Sequence, residues 1–272
     1  MPFDVTTVKA APRCADGRCM RLGALVRQPH GRPASLVGAA MLLAAGGALL
    51  GCDLASVARA TSTPAAAQAL HTALADATAR GSVHQNVVES SAGKTLTLSD
   101  DVATTEGRQE ITISGGARAS VLVVGGVAYL SGNQTALVSY FGFPASVARE
   151  VGDRWISIPS SGSGYSTVAA AATLPSALTE ITPVGPLTET APTRLDGESV
   201  VGIRGRAPSL YGQPGTLTTY VTRSSRPLPV EVSVTLNASG HTPAGHTTSS
   251  LSDWGEHLAL RPPANQIPAS EL

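Results

Sequence analysis

The chain is poor in cysteine and in aromatic residues. Its three cysteines, Cys14, Cys19 and Cys52, all lie within the first 52 of its 272 residues. A domain formed by the rest of the chain therefore has no thiol for an intramolecular disulfide and depends on its hydrophobic core for stability. Aromatic residues make up 4% of the sequence, so we expect that core to consist mainly of aliphatic side chains.

Basic residues are also scarce beyond Cys52. That part of the chain has one lysine, Lys94, and twelve arginines against seventeen aspartates and glutamates, which gives a net charge of −4. A nucleic-acid-binding surface needs clustered lysine and arginine to neutralise phosphates. The charge balance therefore predicts no nucleic acid partner, and the remaining length suits one domain or two small ones.

Motifs of catalysis and of cofactor binding are missing as well. The sequence has no nucleophile elbow, phosphate loop or zinc motif, and Gly162-Ser163-Gly164 lacks the flanking strand and helix that a phosphate loop requires. His241 and His246 lie in a segment with glycine and proline, and His257 follows Glu256. A metal site needs ligands held by regular structure, which these histidines lack. We therefore predict no enzyme activity, no catalytic residues, no metal and no cofactor.

Two adjacent acidic residues, Asp100 and Asp101, follow Leu98-Ser99 and could be mistaken for a pair of catalytic carboxylates. Adjacent side chains on a strand point to opposite faces, so these two would not converge on one substrate. Aspartate is also common in turns. We therefore expect a turn at the end of a strand here.

One long apolar run is present, from Leu36 to Gly51, and it ends at Cys52. The run is too short for a membrane-spanning helix of about 20 apolar residues but suits the hydrophobic region of a signal peptide. Arg27 and Arg32 precede it, as in the positive region of an export signal. Leu49-Leu50-Gly51-Cys52 follows the pattern of a bacterial lipobox, although Cys52 could instead end a buried apolar helix. We predict that Cys52 is lipidated and becomes the first residue of the exported protein.

The pattern beyond the apolar run changes from helical to alternating. Alanines and leucines spaced four apart predict an amphipathic helix over residues 65–80, with Pro64 in its first turn and Gly81 at its end. Alternating apolar residues then predict antiparallel strands, with Gly125-Gly126 as a two-residue hairpin turn. Sequential hairpins of this kind indicate a meander.

The middle of the chain interrupts these strands, which then resume. We expect two short helices around a proline kink in residues 134–151, a strand at 154–159 and another short helix at 168–178. Residues 230–236 alternate valine and leucine with polar side chains and give the clearest strand pattern of the chain. This order of predicted helices and strands indicates an α+β fold.

Short stretches of the sequence resemble the mycobacterial LppX/LprAFG lipoproteins and, more distantly, LolA-like lipid carriers. The stretches are Gly126–Leu130, Ala136–Gly142 followed by Asp153–Ile156, and Leu251–Gly255. The resemblance implies a curled antiparallel sheet that forms an unclosed half-barrel covered by helices. It also implies that the concave apolar face receives the acyl chains of a lipid or lipoglycan.

These predictions divide the chain into four parts. Residues 1–51 form a signal peptide with an N-terminal extension, and residues 52–63 form a lipidated tether. Residues 64–262 form the half-barrel domain, and the proline-rich residues 263–272 form a flexible tail. The lipid anchor would place the domain on the extracytoplasmic face of the cell membrane.

The inner face of a curled sheet supplies the candidate ligand-binding residues, because aliphatic side chains that helices do not fully cover suit a hydrocarbon. The alternative is that these side chains pack against the helices as a dry core. The candidate lining residues are Leu96, Leu98, Ile111, Ile113, Val121, Val123, Val232 and Val234.

Two functions follow from this reading. The first is a lipid-anchored protein that binds, and in some members of the resembled family transports, an acylated lipid or lipoglycan. The second is an envelope interaction module, or a regulator of a sensor, with a filled core and no ligand. The sequence names no protein partner, and the two readings differ in whether the interior holds an apolar void.

Overall fold

The structure, a computed structural model, describes residues 62–272. The predicted signal peptide, Cys52 and most of the predicted tether lie outside the described residues. The helices are α1 (Pro64–Arg80), α2 (Gln134–Ser139), α3 (Ala145–Val151), α4 (Tyr165–Ala170) and α5 (Leu174–Glu180). The strands are β1 (Ser82–Ser91), β2 (Lys94–Ala103), β3 (Gly107–Ile113), β4 (Ala117–Val124), β5 (Val127–Gly132), β6 (Trp155–Pro159), β7 (Val184–Glu189), β8 (Thr193–Leu195), β9 (Glu198–Arg206), β10 (Gly215–Thr222), β11 (Pro229–Leu236), β12 (Gly245–Ser252) and β13 (Gln266–Pro268).

Helix α1 begins and ends as the sequence predicts. Thr63 has extended backbone, and its Oγ1 accepts a hydrogen bond from the backbone N–H of Ala66 at 3.4 Å. Pro64 is the first helical residue, where its missing N–H breaks no intrahelical hydrogen bond. Gly81 ends the helix with a φ of 81°, a left-handed conformation that glycine adopts without strain.

The described strands form one sheet in the order β13-β6-β5-β4-β3-β2-β1-β12-β11-β10-β9-β7, with β8 paired to β9. The pairs are antiparallel except β13 and β6, which run parallel. Strands β13 and β7 lie at opposite ends of this order, so the described sheet does not close into a barrel. The α+β class and the unclosed, curled antiparallel sheet are therefore confirmed.

Helices cover one face of the sheet, which we call the inner face and which carries Val87, Leu96, Ile111 and Val121. Helices α2, α3 and α4 pack on the part of this face formed by β2 to β6. Helix α5 packs on β10, β11 and β12, and α1 packs on β9 and β10. The inner face thus has two covered halves that meet along β1 and β2.

The turns and short helices in the middle of the chain follow the sequence pattern with one difference. Gly125 and Gly126 connect β4 and β5 with positive φ values of 60° and 74°, and α2 and α3 are the two short helices expected. The single helix expected over residues 168–178 is instead α4 and α5. Thr173 has extended backbone, and Pro175 lies in the first turn of α5, where it cannot continue the preceding helix.

The turn expected at Asp100 and Asp101 is wrong. Both residues lie within β2, and the chain turns only after Ala103, whose backbone N–H donates to the carbonyl of Glu106 at 2.7 Å. The alternation of Leu96 and Leu98 continues through Asp100 to Val102 on the inner face. Pairing with β1 and β3 on both sides therefore overrides the local preference of aspartate for turns.

The flexible tail expected over residues 263–272 is also corrected. Gln266–Pro268 form β13, which pairs with Trp155–Ser157 of β6. Ile267 is 6% exposed and packs in the same cluster as Ile156 and Ile158. Burial of this one isoleucine side chain holds the proline-rich segment against the sheet.

Helices α1 to α5 are short or amphipathic, and none of the helices in residues 62–272 is long and apolar enough to cross a bilayer.

Candidate functional site

The eight predicted lining residues lie on the inner face, but they belong to two separate apolar clusters. Six of them pack in the cluster covered by α2, α3 and α4: Leu96, Leu98, Ile111, Ile113, Val121 and Val123. The other two, Val232 and Val234, pack with Leu174 and Ala177 of α5. Contact of any of these residues with a ligand stays a prediction.

Exposure separates the predicted lining residues further. Leu98 and Ile113 are half-buried, whereas Val123 and Val234 are fully buried at 0% exposure. A fully covered side chain is already in contact with protein on all sides and can meet a ligand only if its cover moves. Leu98 and Ile113 are therefore the members of the predicted set that a ligand could reach directly.

Other half-buried apolar and aromatic side chains pack against the same cluster as Leu98 and Ile113. They include Val138, Tyr140, Phe141, Phe143 and Tyr165, which come from α2, α4 and the segment after α2. The rings of Tyr140 and Phe141 meet edge to face with centroids 4.8 Å apart. We call Leu98, Ile113 and these half-buried side chains the apolar rim of the inner face.

A row of three polar side chains crosses the inner face between the two clusters, and sequence reasoning missed it. Gln85, Asp100 and Gln109 are register partners on β1, β2 and β3, and none is more than 6% exposed. We call this set the inner polar row. The alternating pattern of β2 contained a signal for this row, because Asp100 occupies the inner-face position between Leu98 and Val102.

Asp100 is the unusual member of the inner polar row. Its Oδ1 atom is buried and has no hydrogen-bond partner among the described residues. Gln109 lies beside it, and the Nε2 of Gln109 donates to the carbonyl oxygen of Ala171 at 3.1 Å. Burial raises the pKa of Asp100 well above its usual value, against the lowering effect of the Gln109 amide. The nearby charges of Glu180 and Asp101 raise that pKa further.

Two more carboxylates and two tyrosines face the same interior. Burial raises the pKa of Glu180 to about 7 and raises the pKa of Glu89 by a smaller amount. Desolvation, together with the charges of Glu89 and Glu180, raises the pKa values of Tyr140 and Tyr211 above the usual range. The side chain of Glu180 is only half-buried. Desolvation therefore raises the pKa of a carboxyl group that solvent can still reach. The Tyr211 hydroxyl donates to the backbone carbonyl of Glu180 at 3.3 Å.

The outer face of the same three strands has a different chemistry. His84 Nδ1 lies 2.6 Å from Asp101 Oδ1, and Arg108 Nη2 donates to Asp101 Oδ2 at 2.6 Å. Asn86 Nδ2 lies 2.9 Å from the other ring nitrogen of His84. We call His84, Asp101 and Arg108 the outer polar row. Its charges are paired, and it includes no nucleophile that could act with the histidine.

A shallow polar cleft of about 330 Å³ also opens on the outer face, across β3, β4 and β5. Its lining includes Glu110, Arg118 and Asp153, and Ser120 Oγ donates to the Glu110 carboxylate at 2.5 Å. The predicted lipid-lining residues are absent from it, except for Ile111. Among residues 62–272, no group of three or more His, Cys, Asp and Glu side chains is placed to hold a metal ion.

Comparisons with known proteins come from structures alone. No model of a protein family matches the sequence, and no curated protein matches it either. The chain is similar to LprF from Mycobacterium bovis at 16% identity, over 75% of this chain and 100% of that one, with a TM-score of 0.45. It is similar to the lipoprotein LppX from Mycobacterium tuberculosis at 16% identity, over 74% and 100% of the two chains, with a TM-score of 0.48.

Proposed function

We propose that this protein is a lipid-anchored protein of the extracytoplasmic face of the cell membrane that binds, and carries, an acylated lipid or lipoglycan on the inner face of its half-barrel. The supporting observation is the apolar rim, in which Leu98 and Ile113 are half-buried in the same cluster as half-buried aliphatic and aromatic side chains. Cys52, the proposed lipidation site, rests on the lipobox pattern of the sequence.

The energetics of acyl chains favour such a rim as the first contact. Each buried methylene group contributes about 0.8 kcal/mol, so a few carbons inserted beside Leu98 and Ile113 already give measurable affinity. Further insertion requires α2 and its following segment to move away from the sheet. That cover is light, because α2 has only six residues and buries Ala136 and Leu137.

An anchored domain also suits a ligand that leaves the membrane. A stable anchor requires more than one acyl chain, because a single chain gives only marginal membrane binding. A lipidated Cys52 would keep the half-barrel close to its lipid source. Residues Val123 and Val234, fully buried at 0% exposure, support the second reading, an interaction module with a filled core.

The experiment compares two tryptophan substitutions on neighbouring positions of β2. Leu98→Trp fills the apolar rim on the inner face, whereas Thr97→Trp places the same side chain on the exposed outer face. Each full-length variant is purified from a lipid-rich actinobacterial host, and the lipids that copurify are extracted and identified by mass spectrometry. We expect bound acylated lipid with the unchanged chain and with Thr97→Trp, and at least tenfold less with Leu98→Trp.

Two outcomes would contradict the proposal. If the unchanged chain carries no lipid and takes up none from added vesicles, the interaction module becomes the better explanation. Equal lipid content in Leu98→Trp and Thr97→Trp would mean that the rim around Leu98 is not the binding site. Cooperative thermal unfolding of both variants, followed by circular dichroism, shows that the comparison is made between folded proteins.

A further inference from the structure

The buried carboxyl oxygen of Asp100 has no hydrogen-bond partner among residues 62–272. Asp100 is 5% exposed and lies in the middle of a continuous sheet. Buried polar atoms in native proteins are almost always paired, so an unpaired one calls for a physical explanation. A missing ligand group is one such explanation, because the oxygen then has its partner only in the complex.

The row around Asp100 is built for hydrogen bonding at one level of the inner face. Gln85 and Gln109 flank Asp100 on the neighbouring strands, and both are buried at 3% and 6% exposure. The levels on either side are apolar, with Val102 and Val123 on one and Leu98 and Ile111 on the other. Once the protein cover over these buried side chains moves, a lipid whose acyl chains lie along Leu98 and Ile111 would bring a polar group to this row.

Charge limits which polar group can be accepted. Glu89 and Glu180 face the same interior as Asp100, and their charges act on Tyr140 and Tyr211. The strand arginines Arg108 (β3), Arg118 (β4), Arg204 and Arg206 (β9) alternate onto the exposed outer face instead. Lys94 lies at the exposed end of β2. A phosphate in the row would thus meet carboxylates without a compensating cation.

A neutral hydroxyl group meets these limits better than an ammonium group. Burial raises the pKa of Asp100 well above its usual value, which favours the uncharged carboxyl group. An ammonium group would also lose its hydration in a mainly apolar interior, which costs far more than desolvating a hydroxyl. A hydroxyl can donate to Oδ1 of Asp100 and can accept from an amide of Gln85 or Gln109.

We propose that Asp100, flanked by Gln85 and Gln109, forms a subsite on the inner face that hydrogen-bonds a free hydroxyl group of a neutral acylated lipid. The inference rests on the proposed function, because it assumes that acyl chains occupy the inner face. It deepens that function by naming the ligand class, an uncharged lipid with at least one free hydroxyl, in place of a phosphate-bearing lipid.

The test measures binding of three radiolabelled lipids that share their acyl chains. They are dioleoylglycerol, its methyl ether, which lacks the hydroxyl donor, and dioleoyl phosphatidic acid, which is anionic. The full-length chain is held on beads by a C-terminal tag and incubated with phosphatidylcholine vesicles that contain one of these lipids. We expect about tenfold more dioleoylglycerol than methyl ether on the washed beads, which corresponds to about 1.4 kcal/mol, and least of all phosphatidic acid.

Matched substitutions on the two faces of β2 assign the preference to a residue. Asp100→Ala should remove the tenfold preference, whereas Asp101→Ala, one position away on the outer face, should keep it. Asp100→Asn retains a carbonyl oxygen that accepts a hydrogen bond, so we expect it to keep part of the preference. Asp100→Leu is a second removal variant in case the space left by alanine destabilises the fold.

The failure of the subsite and the failure of the proposed function have different signatures. Equal binding of dioleoylglycerol and its methyl ether by the unchanged chain would overturn the subsite while lipid binding stands. A preference that survives in folded Asp100→Ala and Asp100→Leu would overturn the assignment to Asp100. Binding of none of the three lipids would overturn the proposed function and the subsite with it. The ligand comparison on the unchanged chain is decisive whether or not the variants fold.

Discussion

The inner and outer faces of β1, β2 and β3 each carry a polar row, and the two rows lie at adjacent register positions. The acidic side chain has charged partners in the outer row but not in the inner row. On the outer face, Asp101 lies within 2.6 Å of both His84 and Arg108. On the inner face, one residue earlier in the chain, Asp100 is buried beside two neutral amides and keeps an unpaired oxygen. Because the two rows share one backbone, the difference arises from side-chain identity and burial alone.

This difference suggests different roles for the two rows. Charges that satisfy each other at a partly exposed surface add modestly to stability and need no further partner. A buried acid with one unpaired oxygen lowers stability in the free protein, and an unpaired buried polar atom calls for an explanation such as a ligand group that pairs with it.

The largest expected effect concerns close packing on the inner face at the start of β3. A Cβ atom on Gly107 would meet the backbone carbonyl of Ala172 and would lie 2.9 Å from the carbonyl oxygen of Asp101. Backbone atoms cannot rotate away, so Gly107→Ala should lower the free energy of unfolding by about 3 kcal/mol. Urea denaturation measures the change.

The matched control is Arg108→Ala on the outer face of the same strand. Its guanidinium is 52% exposed and pairs with Asp101, so its loss should cost only about 0.5 kcal/mol. A smaller effect from Gly107→Ala than from Arg108→Ala would mean that the inner face of β3 is loosely packed at this position.

The sequence predicted those parts of the fold that depend on residues close together in the chain, namely helix ends and a hairpin turn. The cap and end of α1 follow from Thr63, Pro64 and Gly81, and the hairpin between β4 and β5 follows from Gly125-Gly126. Each depends on backbone freedom or on hydrogen bonds within a few residues. The alternation of Ile111 and Ile113 likewise assigned the inner face correctly.

The inner polar row escaped prediction because its meaning depends on distant residues. Asp100 reads locally as a turn residue, and only its pairing with Gln85 and Gln109 places it inside the sheet. Its electrostatic environment includes Glu180, which lies 80 positions later at the end of α5. The alternation, followed through polar as well as apolar positions, would have placed Asp100 on the inner face. It would not have shown that Oδ1 of Asp100 lacks a hydrogen-bond partner.

The next effect in size is a pH dependence of stability that originates on the inner face. Burial raises the pKa of Glu180 to about 7 from its ordinary value of 4.5. The stability that its neutral form provides is therefore complete below about pH 4.5 and is lost as the pH rises through about 7. A shift of this size corresponds to about 3 kcal/mol for a fully buried carboxyl group. Because the Glu180 side chain is partly exposed, solvent screens the effect, and we expect the unchanged chain to lose about 2 kcal/mol of unfolding free energy across this window.

Glu180→Gln tests this origin, because glutamine stays neutral and should flatten the profile. Asp100 and Glu89 also have raised pKa values, so part of the slope should remain. Glu150→Gln, at an exposed position of α3, is the control and should leave the pH profile of stability unchanged. If the profiles of Glu180→Gln and Glu150→Gln were the same, the recess around Glu180 would be better hydrated than its burial indicates.

The smallest effect tests the comparison of the two faces most directly, because it predicts opposite signs for the same substitution. Asp100→Asn replaces a buried acid whose Oδ1 has no partner with a permanently neutral amide, and it should raise the free energy of unfolding at neutral pH by about 1 kcal/mol. Asp101→Asn removes the partner of His84 and Arg108 and should lower it by about 1 kcal/mol. Urea denaturation at low ionic strength measures both.

Salt and acid separate the two aspartates further. Added salt should shrink the effect of Asp101→Asn, because its partners are partly exposed, and should leave Asp100→Asn nearly unchanged. Although burial acts against them, hydrogen bonds from His84 and Arg108 lower the pKa of Asp101, so its contribution is present above its ordinary value of 3.8 and is lost as the pH falls further. Changes of the same sign for both variants would show that Asp100 has found a partner in the free protein, and the inner face would then have no unpaired group to offer a ligand.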